Sequence, residues 1–397
     1  MNTNSGPLSG IRVLDLGRHL SCPFCGMTLG DLGAEVIKVE KRGYGDDTRH
    51  EGEIIGDQSI YYLSENRNKK GVTINFRSDE GKELLKGLIK KSDVLIENFR
   101  LGTMEKMGLG WETVHKLNPR LIMASISGFG KDSPYKDRPG FDTMMQATSG
   151  IMYLNRAADG PKITGGIWFI DIAAGMWTTI AVLAALHRRE STGEGQYINT
   201  AMYDSALTAL NTYIPTFDQT GGLPADPSKY VYACPAGRFR SKDGYVMLSA
   251  GTDGLFERLL SITDDPFLNK PEFKNHDVRI QNDNYLAINQ AVDRLMQTKT
   301  GDEWDEIFAR IGVPGGKIKD MEDVLNCPAS YVGNATIQLD IPRIGKVRFA
   351  GTPLNFSDEQ LFFNRPPDLG EHNDEVYGDL LGLSKEKIEE LKRGGVI

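Results

Sequence analysis

The stretch "GVTINFRSDEGKELLKGLIKKSDVLIENF", Gly71 to Phe99, decides the fold. Its opening apolar run predicts a strand ending at Phe76, and Ser78 is placed to cap a helix whose first turn carries Asp79 and Glu80. Leu84, Leu85, Leu88 and Ile89 share one face of that helix, while Lys90 and Lys91 suit its C-terminal end. A second strand, Asp93 to Phe99, follows at once. A helix joining two strands in this way is a crossover between parallel strands of one sheet.

The same alternation extends to both sides. Ile11–Leu16 and Ala34–Glu40 read as strands separated by the helix-like "CGMTLGDLG", and Arg120–Gly130 holds another strand. Together they predict an α/β fold whose large domain is built on a mainly parallel, Rossmann-like sheet covered on both faces. In such sheets ligands gather at the C-terminal strand ends. Those ends here are "GRHLSCP", "EKRGYGD", "ENFRLG" and "SGFGKD", all polar and containing turn residues.

Beyond the sheet, "TGGLPADPSKY" (Thr220 to Tyr230) reads as a linker into a smaller α+β domain. The expected division is a large domain over 1–222, a small domain over 223–335 and a return to the large domain over 336–397. Within the small domain "DGYVMLSA" predicts a strand, "GLFERLLSI" and "NQAVDRLMQ" helices, and Thr300 with Glu303 a capping box. "IQLDIPRIGKVRFAG" predicts a hairpin, and "SKEKIEELKRGG" a last helix.

Composition narrows the function. The chain has 397 residues, 25% charged and 40% hydrophobic, with a net charge of −8. That balance argues against a nucleic-acid partner held by bulk attraction, although local basic groups can still hold a small anion. No export signal opens the sequence, and the expected location is cytoplasmic. Cys22 and Cys25 have C-x-x-C spacing without a second pair, and read as buried thiols rather than a redox or zinc motif. The six His are scattered, so no metal is expected. Neither G-x-G-x-x-G, nor a Walker sequence, nor G-x-S-x-G occurs.

One apolar stretch remains, "ITGGIWFIDIAAGMWTTIAVLAALHRR", Ile163 to Arg189. Its length would span a membrane, but the central Asp171 and the lack of a second span favour a helix buried in a soluble domain. Asp171 admits two compatible readings. It can be the N-cap of a helix running to Arg188 and Arg189. It can also be a poorly hydrated carboxylate nucleophile, with Trp168, Phe169, Ile170 and Ile172 excluding water.

Here the residues become specific. "PLSGIRVLDLG", "LGAEVIKVEKRGYGDDTR", "SDVLIENFRLGTMEKMGLGWE", "RPGFDTMMQATSG" and above all the block from Asp171 to Met202 resemble the class III CoA-transferases, which include formyl-CoA, carnitine and phenyllactate CoA-transferases. The resemblance covers essentially the whole chain. It implies that Asp171 is the nucleophile and that His19, Leu20, Ser21, Lys41, Ile74, Asn98, Phe99, Lys106 and Asp142 contact coenzyme A, the co-substrate. Met202 falls near the site. It further implies an acyl-CoA donor, a small carboxylic acid acceptor, aspartyl anhydride and aspartyl-CoA thioester intermediates, no metal, no membrane and an interlocked homodimer.

Two features set the chain apart within that resemblance. Leu20 stands where formyl-CoA transferase has Gln, and its glycine-rich run in the small domain has no clear counterpart beyond "CPAGRFRSKDG". The same fold serves α-methylacyl-CoA racemases, the alternative activity. Their motif has a His immediately before the acid that matches Asp142; here Phe141 stands there and cannot shuttle a proton.

Overall fold

The computed structural model describes residues 6–155, 163–222 and 233–397. They divide into two units. The larger takes the described residues up to Asn155, those of 163–215, and Tyr331–Ile397; the smaller holds those of Thr216–Ser330. From residue 223 on, the expected linker lies outside the described residues.

The larger unit is organised by strands β1 (Arg12–Asp15), β2 (Glu35–Lys41), β5 (Lys69–Ile74), β6 (Val94–Glu97), β7 (Ile122–Ser127) and β8 (Tyr197–Ala201). The two-residue strands β3 (Ile54–Ile55) and β4 (Gln58–Ser59) pair only with each other. The main sheet runs β5-β2-β1-β6-β7-β8, and every pairing in it is parallel. The chain therefore leaves β1 in one direction and returns to its other side at β6. That reversal opens a crevice above the C-terminal ends of β1 and β6.

Alternation along the strands feeds two cores. Val13, Val36, Val94 and Ile96 face α1 (Ser21–Asp31) and a long helix, α8 (Phe169–Thr192). Leu14, Ile37, Val72 and Leu95 face the opposite layer, which includes α3 (Asp79–Lys90) and the C-terminal Ile388, Leu391 and Val396. Ser78 caps α3 as expected, accepting from the Gly81 amide at 3.1 Å. The preceding strand stops at Ile74 rather than Phe76, because the Asn75 amide turns away to the Val396 carbonyl at 2.7 Å.

Among the described residues, α8 alone has the length and apolarity to cross a membrane. Its buried face, including Ile170, Ala174, Thr178, Val182 and Ala185, packs into the first core. The expectation of a helix buried all round is corrected on the other side, where Met176, Trp177 and Ile180 are exposed. Gly175 explains how closely α8 approaches α1. A Cβ there would lie 2.6 Å from the Ser21 carbonyl oxygen and 3.0 Å from the Phe24 ring, so the glycine, costly inside a helix, permits the contact.

In the smaller unit β9 (Ala236–Arg240), β10 (Tyr245–Ser249) and β11 (Gly315–Lys317) form an antiparallel sheet in the order β11-β10-β9. Phe256, Trp304 and Phe308 fill its core. The Thr300–Glu303 capping box is present, with the Thr300 amide donating to Glu303 at 2.8 Å. The expected hairpin forms from Thr336–Ile341 and Gly345–Ala350, in the larger unit.

Candidate active site

Above the C-terminal strand ends a cleft of about 980 Å³ opens within the larger unit. This is at the upper end of the range for small-molecule sites. His19, Ser21, Asn98, Phe99, Lys106, Asp142, Asp171 and Met202 all line it. Segments far apart in sequence thus converge as the topology requires. Leu20, Lys41 and Ile74 do not line the cleft: Leu20 and Ile74 are buried, and the exposed Lys41 lies 5.2 Å from the centre of the Tyr44 ring.

The N-cap reading of Asp171 is corrected. Helix α8 begins at Phe169, two residues earlier, and Trp168 occupies the cap without a side-chain bond. The capping anion comes from elsewhere. Asp142, first residue of α6 (Asp142–Thr148), accepts the Ile170 amide at 2.8 Å and the Asp171 amide at 3.2 Å through one oxygen. Its other oxygen accepts from Gln146, which also bonds the Ile167 carbonyl and the Gly165 amide. Asp142 thus takes the electrostatic reward of the helix N-terminus and leaves the Asp171 side chain free for the cleft.

Burial pushes the Asp171 carboxyl up to about 7, and the neighbouring charge of Asp142 adds to the rise. The hydroxyl and backbone N–H of Ser21, at the start of α1, pull the other way. Near neutral pH this carboxylate is therefore poised between its protonated and ionised forms. Poor hydration combined with partial ionisation suits a carboxylate nucleophile.

Several lining residues were not singled out from the sequence. Tyr61, on α2 (Ile60–Glu65), stacks on Trp168 with ring centres 5.1 Å apart. Burial, then the Asp171 charge, hold the Tyr61 phenol well above its usual pKa, so it stays protonated and able to donate. Arg18, Arg100, Lys136 and Arg138 join Lys106 as basic residues of the lining, beside the acidic Glu51 and Asp137. Each sits in a strand-end loop that the topology nominates, but only the fold shows that these loops face one another. Among the described residues no group of three or more His, Cys, Asp or Glu could hold a metal ion. Cys22 and Cys25 are buried free thiols pushed up in pKa by burial, and neither lines the cleft.

A cleft with basic side chains at the switch point of a parallel sheet, and a desolvated carboxylate in its wall, has the chemistry that group transfer from an anionic co-substrate requires. The particular family follows from comparison: residues 8–373 match CoA-transferase family III, and the chain belongs to it. It is 36% identical over 403 residues to the succinyl-CoA–L-malate CoA-transferase beta subunit of Chloroflexus aurantiacus, covering 100% of this chain and 99% of that one. It is 33% identical over 399 residues to succinyl-CoA:glutarate CoA-transferase of Homo sapiens, covering 99% and 90%. The crystal structure of a CAIB/BAIF family protein from Brucella suis superposes with a TM-score of 0.83 at 34% identity, covering 94% of this chain and 99% of that chain.

Proposed function

We propose that this class III CoA-transferase moves CoA from an acyl-CoA to a free carboxylic acid by covalent relay through Asp171. The observation that carries this reading is the Asp171 carboxylate itself, set in the cleft wall and raised in pKa by burial and Asp142. Ionised Asp171 attacks the thioester carbonyl, the carbon–sulfur bond breaks, and CoA thiolate leaves a mixed anhydride. The thiolate then attacks the aspartyl carbonyl, which forms an aspartyl thioester and releases the first acid as its carboxylate. The acceptor carboxylate attacks that thioester, giving CoA thiolate and a second anhydride. Finally the thiolate takes the acceptor's acyl carbon and returns Asp171 to its ionised form. No proton is gained or lost overall, so the essential condition is an ionised, poorly hydrated nucleophile.

In this reading Ser21 and Tyr61, which line the cleft, donate to oxygens that develop negative charge, and Arg100, Lys106, Lys136 and Arg138 meet the phosphates of CoA. The relatives' printed activities make succinyl-CoA the first donor to test and dicarboxylic acids such as glutarate and malate the first acceptors. Exposed Met176, Trp177 and Ile180 on α8 support a homodimer, since apolar surface of this kind marks protein interfaces. Phe141 lines the cleft beside Asp142 and supplies no base, which disfavours racemisation.

The test is a trap. After incubation with succinyl-CoA, hydroxylamine should convert Asp171 to a hydroxamate detectable by peptide mass spectrometry. Label at another residue, or none while transfer proceeds, sinks the relay. Deuterium uptake at the α-carbon of a 2-methylacyl-CoA would instead support the racemase.

A further inference from the structure

We infer that buried Lys38 and Asp46, together with Asn98, are positioning residues that hold the turn of residues 17–19 so that Ser21 is aimed at Asp171. This inference deepens the preceding one, because it concerns how the same nucleophile is set up.

The turn is gripped at each successive peptide. Lys38 Nζ donates to the Gly17 carbonyl at 2.8 Å and to Asp46 Oδ2 at 2.9 Å. Asn98 grips Arg18 from both sides, its Oδ1 accepting the Arg18 amide at 2.9 Å and its Nδ2 donating to the Arg18 carbonyl at 2.8 Å. Asp46 Oδ1 accepts the His19 amide at 3.2 Å, with the Thr48 amide and hydroxyl at 3.1 and 3.0 Å. These contacts stabilise an unfavourable conformation: His19 has φ of +60°, in the left-handed region that non-glycine residues seldom occupy. Ser21, two residues on, is the first residue of α1, lines the cleft with Asp171, and is the group that opposes the rise in the Asp171 pKa.

The pair is expensive to build. Lys38 is fully buried and Asp46 nearly so, and burying two charges for stability alone is a poor bargain when apolar residues would serve. Its surroundings keep both charged. Asp15 and Glu40 add negative charge around Lys38. Despite burial, Lys38 and the amides of Thr48 and His19 bring the Asp46 carboxyl down to about 2. Arg49 pairs with Glu40 at 2.7 Å, and Lys69 with Asp15 at 2.8 Å.

Asp171 meets Ser21 from α1, Tyr61 and Glu65 from α2, and Asp142 from α6. This arrangement gives the inference a sign that a simple field effect lacks. Removing the Asp46 charge by Asp46→Asn would, through the field alone, make Asp171 easier to ionise and move its titration to lower pH. Losing the aim of Ser21 moves it to higher pH. Asn98→Ala changes no charge, so it isolates the second effect.

The experiment reads Asp171 directly, without turnover. The full-length protein is labelled with a water-soluble carbodiimide and an amine between pH 5 and 9, and modification of Asp171 is followed by peptide mass spectrometry in wild type, Asp46→Asn, Asn98→Ala and Ser21→Ala. The labelling midpoint should rise by roughly half to one pH unit in all three variants, a three- to tenfold change in the ionised fraction on the acid side. Ser21→Ala combined with Asn98→Ala should rise no further than Ser21→Ala alone. A midpoint that stays or falls in Asn98→Ala, while Ser21→Ala raises it, overturns the inference even if melting temperatures drop. Asp46→Asn, if it does not fold, leaves Asn98→Ala to decide. Absence of the hydroxamate in wild type would defeat the covalent relay but not this result.

Discussion

The cavities at the two ends of the parallel sheet treat their carboxylates in opposite ways. At the N-terminal strand ends a cavity of about 600 Å³ is lined by Arg12, Glu35, Lys70, Arg365, Glu371 and His372. Its charges are matched. Arg12 pairs with Glu35 at 2.6 Å, Lys70 bridges Glu35 and Glu375 at 2.8 and 2.7 Å, and Arg365 holds Glu371. At the C-terminal end Asp171, Asp142 and nearby Glu65 have no such cations. Burial first, with Asp171 opposing the relief from Lys69 and Arg67, pushes Glu65 up to about 7, and its Oε2 has no hydrogen-bond partner. Charge left uncompensated out of water stores free energy that chemistry can use.

The most severe break is Asp171→Asn. It should lower transfer by at least about a thousandfold, since the amide cannot replace the attacking oxygen. Stability should move the other way. With a folded-state pKa of about 7, against the usual value near 4, Asp171 favours folding at low pH and loses that contribution as pH rises through 7. Asn carries no such loss, so the variant should melt a few degrees higher than wild type at pH 8. That gain should disappear near pH 4. A variant equally active, or less stable at pH 8, would remove the contrast between the two ends.

Next in size is Gly175→Ala, one helical turn beyond the nucleophile. The new methyl would meet the Ser21 carbonyl at 2.6 Å and force α8 away from α1. Overpacking of this kind costs roughly 1–3 kcal/mol. Because it displaces Asp171 from its donors, transfer should fall roughly 10- to 100-fold with a smaller change in KM for CoA substrates. Thermal melts and steady-state kinetics on one preparation separate these effects. Asp142→Asn acts more gently, keeping an acceptor for the α8 amides while removing the repelling charge. The acid limb of kcat/KM, expected near pH 7 in wild type from Asp171, should then move to lower pH by up to about one unit.

How much of this was legible in the sequence follows from the range of the interactions. The strands around Val13, Val36, Val94 and Ala124 were readable because each is a local apolar run, and α3 because Ser78 and its apolar stripe are local too. The β8 strand "YINTA" was not, since only Ala201 in it is buried and its pattern is mixed. At Asp171 the local rule misled. An acid before an apolar helix reads as its cap, but the cap is Asp142, 29 residues earlier, and no spacing rule links them. Asn98 came from resemblance as a CoA contact and lines the cleft; that its side-chain amide also bonds Arg18 is something only three-dimensional proximity reveals. The cations of the cleft were visible as residues, and their convergence was not.

The mildest perturbation, Glu371→Gln, tests the matched end. Glu371 accepts from Arg365 and, at 2.8 Å, from the Asp368 amide, and these bonds outweigh its partial burial to hold the carboxyl below its usual range. A lowered carboxylate contributes stability above its unfolded pKa and loses it as pH falls through the folded value. The substitution should therefore destabilise the fold slightly at pH 7, by less than about 1 kcal/mol for so exposed a pair, lowering the melting temperature a little, and the difference should shrink in high salt and in acid. Transfer at 25 °C should be unchanged, because no group in that cavity lines the cleft above the other strand ends. A tenfold loss of transfer with the fold intact would mean that the two ends are coupled through the sheet, and that the charges at the matched end also serve the reaction.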